Sequence, residues 1–129
     1  MNLLFVEHLY HIGYDIHILT KGPMSKPNAW TEKLLWAQNH IVNVPFSMNI
    51  VSDKSLFYGK LLFDDHFPYV EKWLNHRPRG FVVMPQTPTN REFKHAQVIH
   101  LEDNLYSYNT CLDKVENLIS KREVEDNIE

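Results

Sequence analysis

Short apolar runs alternate with helix-periodic segments along this chain, and three of the runs end on polar residues. Tyr14-Asp-Ile-His-Ile-Leu19 leads into Thr20-Lys21-Gly22, Asn49-Ile-Val-Ser52 into Asp53-Lys54, and Leu61-Leu-Phe63 into Asp64-Asp65. Strands alternating with helices predict an α/β domain with a mainly parallel sheet. Ligands in such folds sit beyond the carboxyl ends of the strands, where all three polar marks fall.

A helix is expected over residues 2–12, with Leu3, Leu4, Val6, Leu9 and Tyr10 as its apolar stripe and Gly13 as its terminator. A strand follows over Tyr14–Leu19. Gly22, Pro23, Ser25 and Pro27 make residues 20–27 a loop, and Asn28 is placed to cap a helix from Ala29 to His40. Residues 49–52 and Leu61–Phe63 are short strands, the latter apolar throughout, as expected when both sheet faces are covered. A helix over Phe67–Asn75, a turn at Arg77–Gly80, a strand over Gly80–Met84 and a loop over Pro85–Asn90 come next. A strand at Val98–Leu101 and a helix over Tyr106–Arg122 complete one domain, residues 1–122. Residues 123–129 are an acidic tail expected to fray.

With 43% apolar residues, the chain can bury a core. A formal charge of −3 and the lack of a basic block argue against a broad nucleic-acid surface. No apolar run approaches the roughly 20 residues of a membrane span, so no membrane partner is expected. The start, Met-Asn-Leu-Leu-Phe-Val-Glu-His, lacks the basic region of a signal peptide. The single cysteine, Cys111, fits a reducing, cytoplasmic compartment. His8 and His11 have a helical i, i+3 spacing that could bind a metal, against a plain helix-surface reading.

Each polar mark has an ordinary reading and a chemical one. Thr20 either ends a strand in a turn or, with the N–H groups of Lys21 and Gly22, donates to phosphate oxygens. Lys54 is either a solvated lysine or a point charge against a phosphoryl group. Asp64-Asp65 either caps the helix from Phe67 or places two repelling carboxylates where a cation offsets them. Mg²⁺ suits the second reading, since it binds through one or two carboxylates with phosphate and water completing its shell.

The order hydroxyl, lysine, carboxylate pair on successive strands resembles the haloacid-dehalogenase-like phosphohydrolases. The segment Asp53-Lys54-Ser-Leu-Phe-Tyr-Gly-Lys-Leu-Leu-Phe-Asp64-Asp65 is similar to the matching segment of the 5′(3′)-deoxyribonucleotidases, including phage-encoded and bacterial members. Tyr14-Asp15-Ile16, Trp30 with Glu32-Lys33, and Leu62-Phe63-Asp64-Asp65 extend the likeness over about residues 3–110. The resemblance implies a Rossmann-like core and a Mg²⁺-dependent phosphatase of nucleoside monophosphates. It implies that Thr20 and Lys21 hold the phosphate, that Lys54 neutralises its oxygens, and that Asp65 binds Mg²⁺ with Asp64 as helper. Gln86 and Asn90 lie near the same sheet edge without an assigned role.

One part of the family pattern is missing. Its first motif is an Asp-x-Asp whose first Asp is the nucleophile and whose second is the general acid and base. No Asp-x-Asp occurs in these 129 residues, and the helical cap that shapes the nucleoside pocket has no counterpart either. The first-motif strand of the family lies between the strand ending at Thr20 and the strand ending at Asp64-Asp65. The expected core is therefore incomplete, with unpaired backbone along its central gap. A second polypeptide supplying that strand, or a homo-oligomer, would complete it. The competing expectation is an inactive binding or regulatory protein of the same fold. A receiver-like signalling domain fits less well, because receivers place their acidic pair first and this chain places it last.

Overall fold

Five strands form two separate parallel sheets in the computed structural model of the protein. The structure describes residues 2–22 and 24–128, and the side chains of residues 3–22 and 24–118. Helix α1 (Asn2–His11) precedes β1 (His17–Lys21), α2 (Asn28–His40) and β2 (Ser47–Val51). A 3₁₀ turn (Lys54–Leu56) leads to β3 (Leu61–Phe63), α3 (Phe67–His76), β4 (Phe81–Pro85), β5 (Val98–Leu101) and α4 (Leu105–Ile128). Strand β1 pairs with β2, Thr20 opposite Ile50. The other sheet has the order β3-β4-β5, with Phe63 opposite Val83 and Val83 opposite Ile99. This is the mixed α/β architecture expected, with parallel strands in both sheets and, among the described residues, no strand between β1 and β3.

The second sheet owes its burial to period two. Val83 faces α1 and α4, packing with Phe5, Leu9, Leu101, Tyr108, Cys111 and Val115. Its neighbours Val82 and Met84 face the other way, against Val70, Trp73 and Leu74 of α3. Successive strand side chains point to opposite faces, so a helix layer on each face requires an unbroken apolar run. Each such side chain contributes about 1.5–3 kcal/mol through burial. A smaller core of Ala37, Ile41 and Val44 covers β1 and β2.

Several sequence expectations need correction. Strand β1 begins at His17, not Tyr14, and it includes Thr20 and Lys21. Gly13 takes φ 114°, a conformation that side chains disfavour, and so turns the chain out of α1. Tyr14 then donates its hydroxyl to the Val115 carbonyl at 3.3 Å, which ties Tyr14 to α4, and contact with β2 starts only where the Ile16 carbonyl accepts the Ser47 N–H at 3.1 Å. The buried face of α1 is Phe5 and Leu9, while Leu3 and Leu4 of the predicted stripe are exposed. Asn28 is the first helical residue of α2 and caps nothing. Pro27 holds that place, because its fixed φ of −58° is already helical. Of α2, only Ala37 is buried. The helical backbone of α4 continues through Glu123–Ile128, the segment read as a tail, whose side chains lie outside those described. Pro23 and Glu129 lie outside the described residues altogether. Among the described residues, no helix is long and apolar enough to cross a membrane.

Candidate functional site

Thr20 is the penultimate residue of β1, and its Oγ1 accepts a hydrogen bond from Lys33 Nζ at 2.8 Å. The same ammonium donates to the Lys21 carbonyl. Helix α2 thus returns over the end of β1 and fixes the Thr20 hydroxyl oxygen as acceptor, which leaves its O–H to donate elsewhere. The Gly22 N–H is not a free phosphate donor, since it bonds to the Val51 carbonyl at 3.3 Å. A Cβ at Gly22 would lie 2.4 Å from Trp30 Cε2 and 2.6 Å from Ile50 Cγ2, so only glycine lets the chain pass there.

Lys54 opens the 3₁₀ turn after β2, and Asp53 caps that turn. The Asp53 carboxylate accepts from Ser55 Oγ at 2.6 Å, from Ser55 N at 3.0 Å and from Lys72 Nζ at 2.9 Å. The Ser55 hydroxyl, then the Lys72 hydrogen bond, then the Ser55 N–H hold its carboxyl far below the ordinary carboxylate range, with slight burial opposing them. A depressed folded-state pKa means that this group stabilises the fold above its unfolded value of about 3.9, and that the contribution disappears as pH falls below it. Urea midpoints measured between pH 2 and 7 should therefore fall on acidification. Asp53→Asn should flatten that acid limb, and an unchanged slope would contradict the assignment.

Lys54 itself turns inward. Its Nζ lies 3.2 Å from Asp64 Oδ2, and the two side chains are only 17% and 10% exposed. Asp64 also accepts the His66 N–H on Oδ1 at 2.9 Å, just ahead of α3. Both Asp64 oxygens are thus engaged, one by a cation and one by a cap-like turn. Asp65 is exposed, and its carboxylate makes no hydrogen bond or ion pair among the described residues. Its backbone is held by Asn90, a 1%-exposed residue whose Nδ2 donates to the Asp65 carbonyl at 2.8 Å and to the Pro85 carbonyl at 2.9 Å. Asn90 Oδ1 accepts the Thr87 N–H at 2.9 Å. Asn90 therefore ties the loop after β4 to the end of β3. Gln86 joins β5 instead, through its N–H to the Leu101 carbonyl and its side chain to Glu102.

Tyr69 of α3 links the two sheets at this end. Lys21 Nζ lies 5.1 Å and Lys54 Nζ 5.0 Å from the centre of its ring. The ring also meets His66 edge-on at 4.3 Å. Lys21, Lys33 and Lys54 gather around the strand ends, and among the described residues Asp64 is the only carboxylate in an ion pair with any of them. That excess of cations suits a phosphate dianion. Lys33 and Tyr69 carry no role in the sequence reading, and Asn90 was placed near this sheet edge without one. The only hint was Lys33 beside Glu32 near the start of a helix that follows the Thr20 strand.

Between the sheets lies a cavity of about 590 Å³. His17, Ile18 and Leu19 of β1 line one side, and Leu61, Leu62 and Phe63 of β3 the other. Leu9 of α1 and Trp73 of α3 reach it too, and Asp64 stands at its carboxyl end. Among the described residues, β1 has β2 as its one partner and β3 has β4, so each has an edge without a strand partner. The sheet is interrupted where the resemblance put the missing strand.

His8 and His11 form no metal site here. His8 Nδ1 meets the Tyr108 hydroxyl at 3.1 Å, and no three His, Cys, Asp or Glu side chains among the described residues cluster as ligands.

The model of one protein family matches residues 4–114; its description is 5′ nucleotidase, deoxy (pyrimidine), cytosolic type C protein. No curated protein and no solved structure gives a significant match.

Proposed function

Since the chain belongs to the cytosolic type C deoxy-pyrimidine 5′ nucleotidase family, we propose that it is the phosphate- and metal-gripping part of a nucleoside-monophosphate phosphatase. The observation that carries this reading is the convergence of Lys21 and Lys54 on one ring, with Thr20 next to Lys21 and Asp64 on Lys54. Lys54 opposes negative charge on the phosphoryl oxygens, where a fixed cation lowers the barrier to transfer. Thr20 donates its hydroxyl to a second oxygen, oriented by Lys33. Lys21 adds charge from the end of β1.

The hard oxygen donors also fit Mg²⁺, with Asp65 as its ligand and Asp64 as helper once Lys54 engages phosphate. Asp65 is the better ligand because its carboxylate is exposed and unpaired among the described residues. Bound Mg²⁺ would neutralise phosphoryl charge beside Lys54.

The nucleophile and the general acid come from an Asp-x-Asp segment on a second polypeptide, laid as a strand between β1 and β3. The 590 Å³ cavity and the two flanking strand edges support this. A second copy of this chain carries no Asp-x-Asp and would fill the gap without restoring chemistry. The lone buried thiol, Cys111, which burial keeps protonated, fits a cytoplasmic setting.

The test is phosphate release from dUMP or dTMP in Mg²⁺ by this chain together with an Asp-x-Asp polypeptide. Replacing Lys54 and Asp65 together by Ala should abolish it. Undiminished release by that double variant would refute the assigned roles. Phosphate binding without release in the assembled pair would favour an inactive binding protein.

A further inference from the structure

Two ammonium groups from one end of the β1–β2 sheet share one aromatic ring of α3. Lys21 comes from the end of β1 and Lys54 from the turn after β2, yet both stand about 5 Å from the Tyr69 ring centre. Two like charges so placed repel one another, and among the described residues only Lys54 of the two has a carboxylate within ion-pair distance. The negative face of an aromatic ring attracts cations and so offsets that repulsion. A carboxylate in place of the ring would hold the lysines as well but would repel an incoming dianion and occupy their hydrogen-bond donors. A neutral ring does neither. Tyr69 is half-buried, and the His66 ring packs against it edge-on at 4.3 Å.

From this we propose that Tyr69 is a positioning residue of the phosphoryl site, holding Lys21 and Lys54 so that one phosphate meets both; this rests on the reading given under Proposed function. The ring also spans the interrupted sheet. It joins the Lys21 end of β1 to α3, the helix that follows β3.

Orthophosphate binding to the purified chain, followed by calorimetry at low and moderate salt, tests the role. Tyr69→Phe keeps the ring and should bind within about twofold of the parent. Tyr69→Leu should weaken binding about 5- to 30-fold, the combined effect of two cation–π contacts. Trifluorophenylalanine at position 69 keeps the shape but withdraws ring electrons. It should weaken binding as leucine does, and it reads out the same effect if the leucine variant fails to fold. A purely structural role predicts that trifluorophenylalanine binds like phenylalanine, and that result would overturn the inference. If Lys54→Ala abolishes binding while Tyr69→Leu leaves it intact, the inference fails alone. If the parent chain binds no phosphate, the phosphoryl-site reading fails and takes this inference with it.

Discussion

In the two-chain phosphatase proposed above, Lys54→Ala should lower turnover by about 10²–10³, the range found when one preorganised charge-stabilising donor is removed. The structure gives two reasons to expect the upper part of that range. Lys54 is 17% exposed and pointed at Asp64, so it is not a solvated lysine that water can replace. Its removal also leaves Asp64, 10% exposed, as an uncompensated negative charge beside the phosphate. The loss should appear in kcat and in kcat/KM together, because the interaction strengthens as charge develops. Lys72→Ala is the matched control. Lys72 pairs with Asp53 in an exposed position, and its loss should leave turnover nearly unchanged. Steady-state phosphate release from dUMP by the three proteins decides the matter. Equal rates for Lys54→Ala and Lys72→Ala would return Lys54 to the status of a surface charge.

How legible these features were depended on whether their cause was local. Strands β3 and β5 match their sequence readings to the residue, because each is a short, mostly apolar run bounded by turn-forming or polar residues. Strand β1 was misplaced by three residues at its start. Tyr14-Asp15-Ile16 has strand composition, but the Tyr14 hydroxyl reaches α4, a contact 101 residues away that no local pattern reveals. The face of α1 was misread for a similar reason. Leu3, Leu4, Phe5 and Leu9 are all apolar, and only the position of β3 and α4 selects Phe5 and Leu9 for burial.

The site divides along the same line. Thr20, Lys54 and the aspartate pair stand at the ends of apolar runs, where strand–helix alternation already directs attention. Lys33, Tyr69 and Asn90 project from helices or a loop, and their roles exist only through contacts made by folding. The missing central strand was readable as an absent Asp-x-Asp. Its consequence, two sheets with a cavity between them, needed the coordinates.

That cavity underlies the second large effect. A strand docked between β1 and β3 would hydrogen-bond to both open edges, and its apolar side chains would meet Leu9, Leu19 and Trp73. Binding of a segment to the folded chain alone stabilises it by mass action, by about 2.7 kcal/mol at a hundredfold excess over Kd. Local opening of the two edges would become correspondingly rarer, and their amides should exchange about 100-fold more slowly. The amides of β4, already buried between β3 and β5, should change less in the same experiment.

Amide hydrogen exchange across residues 17–19 and 61–63, with and without an Asp-x-Asp polypeptide, is therefore the most direct measurement of the central claim. Exchange at both edges should slow together, in step with the appearance of Mg²⁺-dependent phosphate release. Phosphate release with both edges still exchanging freely, or edges already protected in the chain alone, would contradict it.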